Sequence, residues 1–387
     1  MLAAVTVICF LQFKLIKKMG KRSANKIQHF VPQFFQRYFS FNNNGKTIGM
    51  FNVNNNVFIS STPIRTQLYD DYLYGKSGEL ETWLSELESK SAPIFRAMWE
   101  GETLPFYESE TQLKMLHFLV ILDLRNPTRF NTLQNFENLV KRTKSSITGK
   151  NIPTNLITVF KELQSERGKI RSLIGAVKIV PDLIDLKYKL LKNTTQIPFI
   201  ISDNPLVIYN QFLEKRKWNF VSQRGYGSKG LQMFLPVNDQ YMLVLYDADI
   251  YKVGNKKDTL VEIDDLESIN QLNILQFLNS TDTINFNHKA TEHYIRTLHE
   301  KSLGYKKANE AFIKVHRIDD GKGGVKPMEE AIEIGVTDLK INLSVQKIKF
   351  LSKSVAVKLD NKLAQYRKGV KLNEDIKVFK TTTTANS

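Results

Sequence analysis

The chain has 387 residues, 42% hydrophobic and 11% aromatic, enough for one large domain or two ordinary ones and too apolar for wholesale disorder. A single cysteine, Cys9, excludes a disulfide framework and a cysteine-based zinc site; it fits a reducing compartment, with the cytoplasm as the expected location. The net charge of +16 and pI near 9.5 point to anionic partners, nucleic acid or anionic lipid, or simply to a lysine-rich solvated surface.

Residues 1–18, MLAAVTVICFLQFKLIKK, hold an apolar run of about a dozen residues, below the roughly 20 needed to span a bilayer. The expectation is a mis-called start, with Met19 opening the polar leader MGKRSANKIQHF; a weak apolar anchor is the second choice and a signal peptide the third. Residues 29–40 carry aromatics near helical spacing, with Pro32 suited to a first turn. Residues 41–65, rich in Asn, Gly and β-branched residues, predict two short strands joined by polar turns. From Gly78 an apolar stripe through Leu80, Trp83, Leu84, Leu87, Phe95 and Met98 predicts helix, with a kink or break at Pro93. Residues 110–124 read as a buried helix that stops at Asn126-Pro127. Further helices are expected across 131–192, with a basic turn at 141–150.

The period then changes. Residues 196–207, 231–236 and 240–247 predict strands, with the loop 214–230, EKRKWNFVSQRGYGSKG, between the first and the others. Helix returns over 264–280 and 289–303, and residues 338–380 read as strands or a mixed appendage. Residues 338–387 hold eleven Lys or Arg against four Asp or Glu. The fold class expected is α+β: a mainly helical first half packed with an antiparallel β-meander, a single large domain over 19–303, and a basic C-terminal extension over 304–387.

Three segments place polar groups against apolar runs: HFVPQFFQRYFS at 29–40, LDLRNPTRF at 122–130 and IPFIISDNPLVIY at 197–209. Together with YGKSGELE at 74–81, a second acid at Glu88 and the Leu235-Pro236 strand, they resemble the bacterial family called domain of unknown function 4238, over roughly residues 27 to 300. Many members of that family have Gln and Thr where this chain has Asp123 and Asn126. The resemblance implies a fold relationship and a shared polar site, and no activity.

A polar group beside a core needs a partner, since leaving it unpaired costs on the order of 1–3 kcal/mol. Arg125 and Asp203, each ending an apolar element, are therefore expected to face one another, although an Asx-turn around Ser202-Asp203-Asn204 is the simpler reading of that segment. His29, Arg125 and Asp203 form the candidate catalytic set, His29 as acid or base and Arg125 as phosphate holder. Glu81 and Asp203 are the candidate ligands for Mg²⁺ or Mn²⁺; Glu79, Glu81, Glu86 and Glu88 read more simply as a solvated helix face, and the resemblance favours Glu81 or Glu88 if one of them belongs to the site. Lys215, Arg216, Trp218, Arg224 and Tyr226 mix charge with aromatic rings as a single-strand nucleic-acid contact does, and as any exposed hairpin loop can. The leading expectation is a metal-dependent phosphoesterase or nuclease; the alternative is a non-enzymatic nucleic-acid-binding or accessory protein whose polar motifs only build the fold.

Overall fold

The computed structural model describes residues 25–127, 129, 158, 161–218, 223–305, 311–319, 325–336, 338–359 and 365–370, the two spans 311–319 and 325–336 as backbone. Residues 1–18 and the basic turn at 141–150 lie outside the described residues.

The fold is α+β, built around a five-stranded sheet between two cores. In chain order its strands are β5 (Lys187–Asn193), β7 (Val207–Tyr209), β8 (Gln232–Pro236), β9 (Tyr241–Tyr246) and β11 (Leu260–Ile263). They lie side by side as β11-β5-β9-β8-β7, antiparallel except for the parallel β11–β5 pair. Every residue of β8 and β9 is buried, because each face meets apolar partners. Met233, Leu235, Leu243 and Leu245 join one core; Phe234, Met242, Val244 and Tyr246 join the other. A sheet covered on both sides loses the apolar–polar alternation.

Helices supply the first core. Among them are α1 (Gln33–Arg37), α2 (Glu79–Glu100), α3 (Glu110–Leu124) and α4 (Glu166–Gly175). Helix α3 buries residues on every side, from Leu113 to Asp123, and is the central pillar that an all-round apolar helix must be. Ser109 caps it by accepting from the Gln112 amide at 3.1 Å. Helix α2 continues through Pro93 without ending; of the kink or break expected there the break is absent, and Phe95 and Met98 beyond the proline pack in the first core.

The second core packs α5 (Gln211–Lys215), α6 (Leu266–Asn279) and α7 (Glu292–Ser302) against the other face of the sheet. A second sheet of β2 (Thr47–Asn52), β3 (Val57–Pro63), β6 (Ile201–Ser202) and β12 (Thr283–Phe286) runs in the order β3-β2-β12-β6, antiparallel throughout. The hairpin expected over 41–65 is β2–β3. Two short ribbons complete the architecture near the sites discussed below: β1 (Ile27–His29) with β4 (Tyr69–Asp71), and β10 (Tyr251–Val253) with β15 (Ile348–Phe350). The strands β13 (Ala311–Asp319) and β14 (Val325–Val336) pair as a hairpin, and α8 (Ser352–Val355) follows β15.

The expectation of helix throughout 131–192 fails at its end, where Lys187–Asn193 is the strand β5. Its pairing partners, β9 and β11, lie far along the chain, and local spacing carries no trace of them. The segment 338–350 is also more than surface: Leu339, Ile341, Leu343, Val345 and Ile348 are buried in the second core.

Candidate functional site

A cavity of about 760 Å³ opens between β1, α1 and the first turns of α2; its lining includes His29, Gln33, Arg37, Arg65, Glu81 and Glu88. Strand β1 ends at His29, Pro32 stops further pairing, and α1 starts at Gln33. That sharp reversal turns the imidazole toward the opening, 5.8 Å from the Tyr69 ring across the β1–β4 ribbon. Gln33 Nε2 stands 3.4 Å from both ring nitrogens, and Gln33 Oε1 accepts from Arg37 Nη2 at 3.3 Å. Burial lowers the His29 pKa to about 4, with Arg125 and Arg37 adding to the shift against an opposing hydrogen bond to the Arg65 backbone. The ring is therefore neutral and able to accept a proton across the neutral range.

Both carboxylates of the lining are occupied. Glu81 accepts from the Asn25 amide at 3.1 Å and from Asn25 Nδ2 at 2.9 Å. Glu88 pairs with Arg125 Nη1 at 2.8 Å. Lys26 is paired as well, with Asp71 at 3.0 Å. Arg37 and Arg65, both exposed, make no ion pair among the described residues. The cavity thus offers two uncommitted guanidiniums beside a neutral imidazole.

Arg125 lies behind this wall, wholly buried. Its Nε donates to the Phe30 carbonyl at 2.6 Å, and its Nη2 to the His29 carbonyl at 3.2 Å. With Glu88 on its third arm it clamps the turn after β1 to α2 and holds His29 in place. The planar fork suits this task, serving three acceptors in one plane.

Asp203 is elsewhere, and the expected Arg125–Asp203 pair does not form. Asp203 Oδ1 accepts from the Thr281 amide at 2.9 Å, and Oδ2 from the Asp282 and Thr283 amides at 2.7 and 3.0 Å. The carboxylate neutralises a cluster of backbone N–H groups between α6 and β12, so backbone amides take the role expected of Arg125. The segment around it is held by side-chain amides of α6. Asn273 bonds the Pro198 carbonyl and the Ile200 amide; Gln276 bonds the Ser202 amide and the Pro205 carbonyl; Asn279 bonds the Asn204 and Leu206 carbonyls. All three amide side chains are buried. Asn126 adds a bond from Nδ2 to the Asp203 carbonyl at 2.5 Å.

The pairing of Glu81 with Asp203 as metal ligands fails for the same reason. Asp203 has both oxygens committed to amides, and among the described residues no group of three or more His, Cys, Asp or Glu is arranged to hold a metal. The donor set does not fit a catalytic Mg²⁺ or Mn²⁺.

The basic-aromatic loop is not one exposed surface either. Trp218 packs on the second core. Arg224 is buried near Asp338. The Tyr226 hydroxyl donates to Asp123 at 2.5 Å, and Arg129 donates to both oxygens of that same carboxylate at 2.5 and 2.8 Å. Arg216 donates to the Ser354 and Val355 carbonyls at 3.1 and 2.7 Å, capping the C-terminal end of α8. Of the loop residues proposed for nucleic acid, Lys215 and Arg216 are exposed, Trp218 and Tyr226 are half-buried with packing or hydrogen-bond partners in the fold, and Arg224 is buried. Sequence reasoning missed Arg37 and Arg65. The signal available for Arg37 was its place in the same polar-aromatic segment, 29–40, as His29.

The family profile described as a protein of unknown function (DUF4238) matches residues 27–290. The chain belongs to this family. The matched span runs from β1 to just before α7 and includes Arg125, Asp203, the α6 amides and the cavity wall apart from Asn25 and Lys26. No curated protein and no solved structure matches the chain. It holds one cysteine, so no disulfide forms within it, and no helix among the described residues is long and apolar enough to cross a membrane.

Proposed function

We propose that the cavity at His29 binds a phosphate-bearing ligand of nucleotide size and that the protein acts on its phosphoester, with His29 as general base and Arg37 and Arg65 holding the anion. The observation that carries this reading is the pair of exposed guanidiniums, without acidic partners among the described residues, beside a neutral imidazole. A guanidinium fork matches phosphate oxygens two at a time, and the volume is within the range of ordinary ligand sites. Glu81, held by neutral Asn25 groups, is available to accept from a ligand hydroxyl. No step is assigned to a metal.

Thermal-shift and calorimetric titration with AMP and with inorganic phosphate test the binding half. The joint change Arg37→Gln and Arg65→Gln should abolish any AMP-dependent stabilisation while leaving the unliganded melting temperature in place. Hydrolysis of bis(p-nitrophenyl) phosphate tests the chemical half. His29→Gln should remove turnover and keep AMP binding, and kcat/KM of the native protein should stay flat from neutral pH down to about 5 and fall near pH 4, where the free enzyme's base protonates. AMP binding without turnover, with or without added Mg²⁺ or Mn²⁺, favours the second reading, a non-enzymatic binding protein. Supporting that reading, Arg125 and Asp203 are both committed to the fold. Absence of AMP and phosphate binding sinks both readings of the cavity.

A further inference from the structure

The β10–β15 ribbon carries an anomaly that its own packing does not explain. Its register sets Lys252 directly opposite Lys349, and like charges on opposed positions destabilise a strand pair. The inner face of the ribbon is ordinary: Tyr251, Val253 and Ile348 are buried in the second core. The outer face is not. Lys349 stands on β15, and Lys347 lies in the turn that leads into that strand. Gly254 donates its amide to the Lys347 carbonyl at 2.9 Å and packs against the Val261 side chain. Lys252, Lys347 and Lys349 make no ion pair among the described residues. Burial lowers the Lys189 pKa, the Asp258 carboxylate opposes this, and the nearby charge of Lys252 adds to the lowering. The opposing charges nearby are Asp258, which faces Lys189, and Glu262, which shares a small hollow with Asp258 and Lys347. At the end of the ribbon Lys215 reaches back over the Phe350 ring, 4.9 Å from its centre. The outer face offers a row of ammonium groups and no large apolar side chain.

We propose that this ribbon face is a docking surface for the phosphate backbone of a nucleic acid. Each phosphate neutralised by a lysine releases condensed counter-ions, and a polyanion laid along the row removes the Lys252–Lys349 repulsion that the empty ribbon tolerates. A flat lysine row without aromatic side chains reads charge and not sequence. The absence of an apolar wedge on the face disfavours a lipid surface, which is held by buried apolar area as well as charge. The inference is independent of the cavity: it uses other residues on the opposite core of the sheet. It also moves the nucleic-acid contact expected in the 214–230 loop to lysines that reach solvent.

Fluorescence anisotropy of a labelled DNA oligonucleotide, single-stranded and as a duplex, titrated at several salt concentrations with the full chain, tests the surface. The triple change Lys252→Gln, Lys347→Gln and Lys349→Gln should lower the slope of log K against log salt by up to about three, one per lost phosphate contact. The equal charge change Lys161→Gln, Arg167→Gln and Lys178→Gln, on and beside α4, should leave the slope near that of the native chain. Lys349→Glu is the sharper variant. Opposite Lys252 it replaces repulsion with attraction, so the melting temperature at low salt should rise while DNA affinity falls. Equal loss in the α4 variant overturns the proposal, because the binding is then general charge. No detectable binding to either DNA form at low salt overturns it too, as does capture by phosphatidylserine vesicles that depends on these lysines when DNA is not bound.

Discussion

Replacing Arg125 by Met tests whether the floor of the cavity is organised as described. The side chain is fully buried and donates to the Phe30 carbonyl at 2.6 Å, the His29 carbonyl at 3.2 Å and Glu88 at 2.8 Å. Methionine keeps much of the volume and removes every donor. The Phe30 carbonyl is left without its partner and the His29 carbonyl keeps only the longer bond from the Tyr74 hydroxyl at 3.4 Å, at about 1–3 kcal/mol for each weakened or unpaired buried acceptor. Glu88 costs less, since its side chain is 26% exposed and water can replace the guanidinium. Allowing about 1 kcal/mol back for apolar burial of the methionine, the expected loss is about 3 kcal/mol. Urea denaturation followed by circular dichroism reads it as a lowered midpoint with an unchanged slope. Glu88→Gln alone should cost less than Arg125→Met, and the double variant should be no worse than Arg125→Met, because both changes break one clamp. Arg125→Lys should fall between native and Met, an ammonium being unable to fork to three acceptors. A loss below about 1 kcal/mol in Arg125→Met, given that unsatisfied buried acceptors cost more than this, would falsify the clamp.

Asp203→Asn should destabilise by about 2–4 kcal/mol, because an amide oxygen cannot replace two charged acceptor oxygens for three N–H donors; if turnover exists, it should survive in the folded fraction, and loss of turnover without loss of stability would return Asp203 to the site. His117 is buried with Nε2 unpartnered among the described residues, and burial lowers its pKa from 6.5 to about 4. The unfolded chain therefore binds the extra proton between those values, so this residue's share of stability is intact above pH 6.5 and is lost as pH falls toward 4, by up to about 3 kcal/mol. His117→Phe should flatten that part of the stability-against-pH curve and cost little at pH 7, which chemical denaturation at pH 7 and pH 4.5 checks directly. Gly75 has φ +98°, and an added Cβ meets the Glu166 carboxyl carbon at 2.0 Å; Gly75→Ala should lower stability by about 1–3 kcal/mol, and Glu166→Ala made alongside should recover the steric part while leaving the backbone part.

What could be read from residues alone followed the locality of its causes. Helix α3 announced itself because the largely apolar run from Leu113 to Leu124 stops at a proline and leaves few alternatives. The β2–β3 hairpin was legible from its Asn-rich turn and β-branched flanks. By contrast β5 carries Lys187, Lys189 and Lys192 among apolar residues, and only its distant neighbours β9 and β11 make it a strand. The polar motifs marked the right neighbourhood and the wrong partners. Arg125 does need a counter-ion, but Glu88, 37 positions earlier, supplies it. Asp203 does need donors, but a backbone turn supplies them, which no side-chain inventory reveals. Trp218, Arg224 and Tyr226 looked like a binding loop because composition does not distinguish a charged residue in solvent from one spent on an internal tie.

The side-chain amides of α6 have a consequence for how this chain tolerates insertion and deletion. Asn273, Gln276 and Asn279 act in sequence as docking points for the extended stretch from Pro198 to Leu206, so the helix surface is used as a ruler. Because each residue advances a helix by about 100°, one residue added before Asn273 would swing all three amides away from the stretch together and leave its carbonyls and amides facing apolar side chains. The same residue added after Asn279, in the turn before β12, leaves the three amides in register and disturbs instead the bonds of that turn to Asp203, Asn52, Val53 and Asn54. Length changes should therefore be rejected within α6 as a block, even where every single substitution away from the three amides is accepted, and an insertion scan across 264–283 would display that boundary at Asn279.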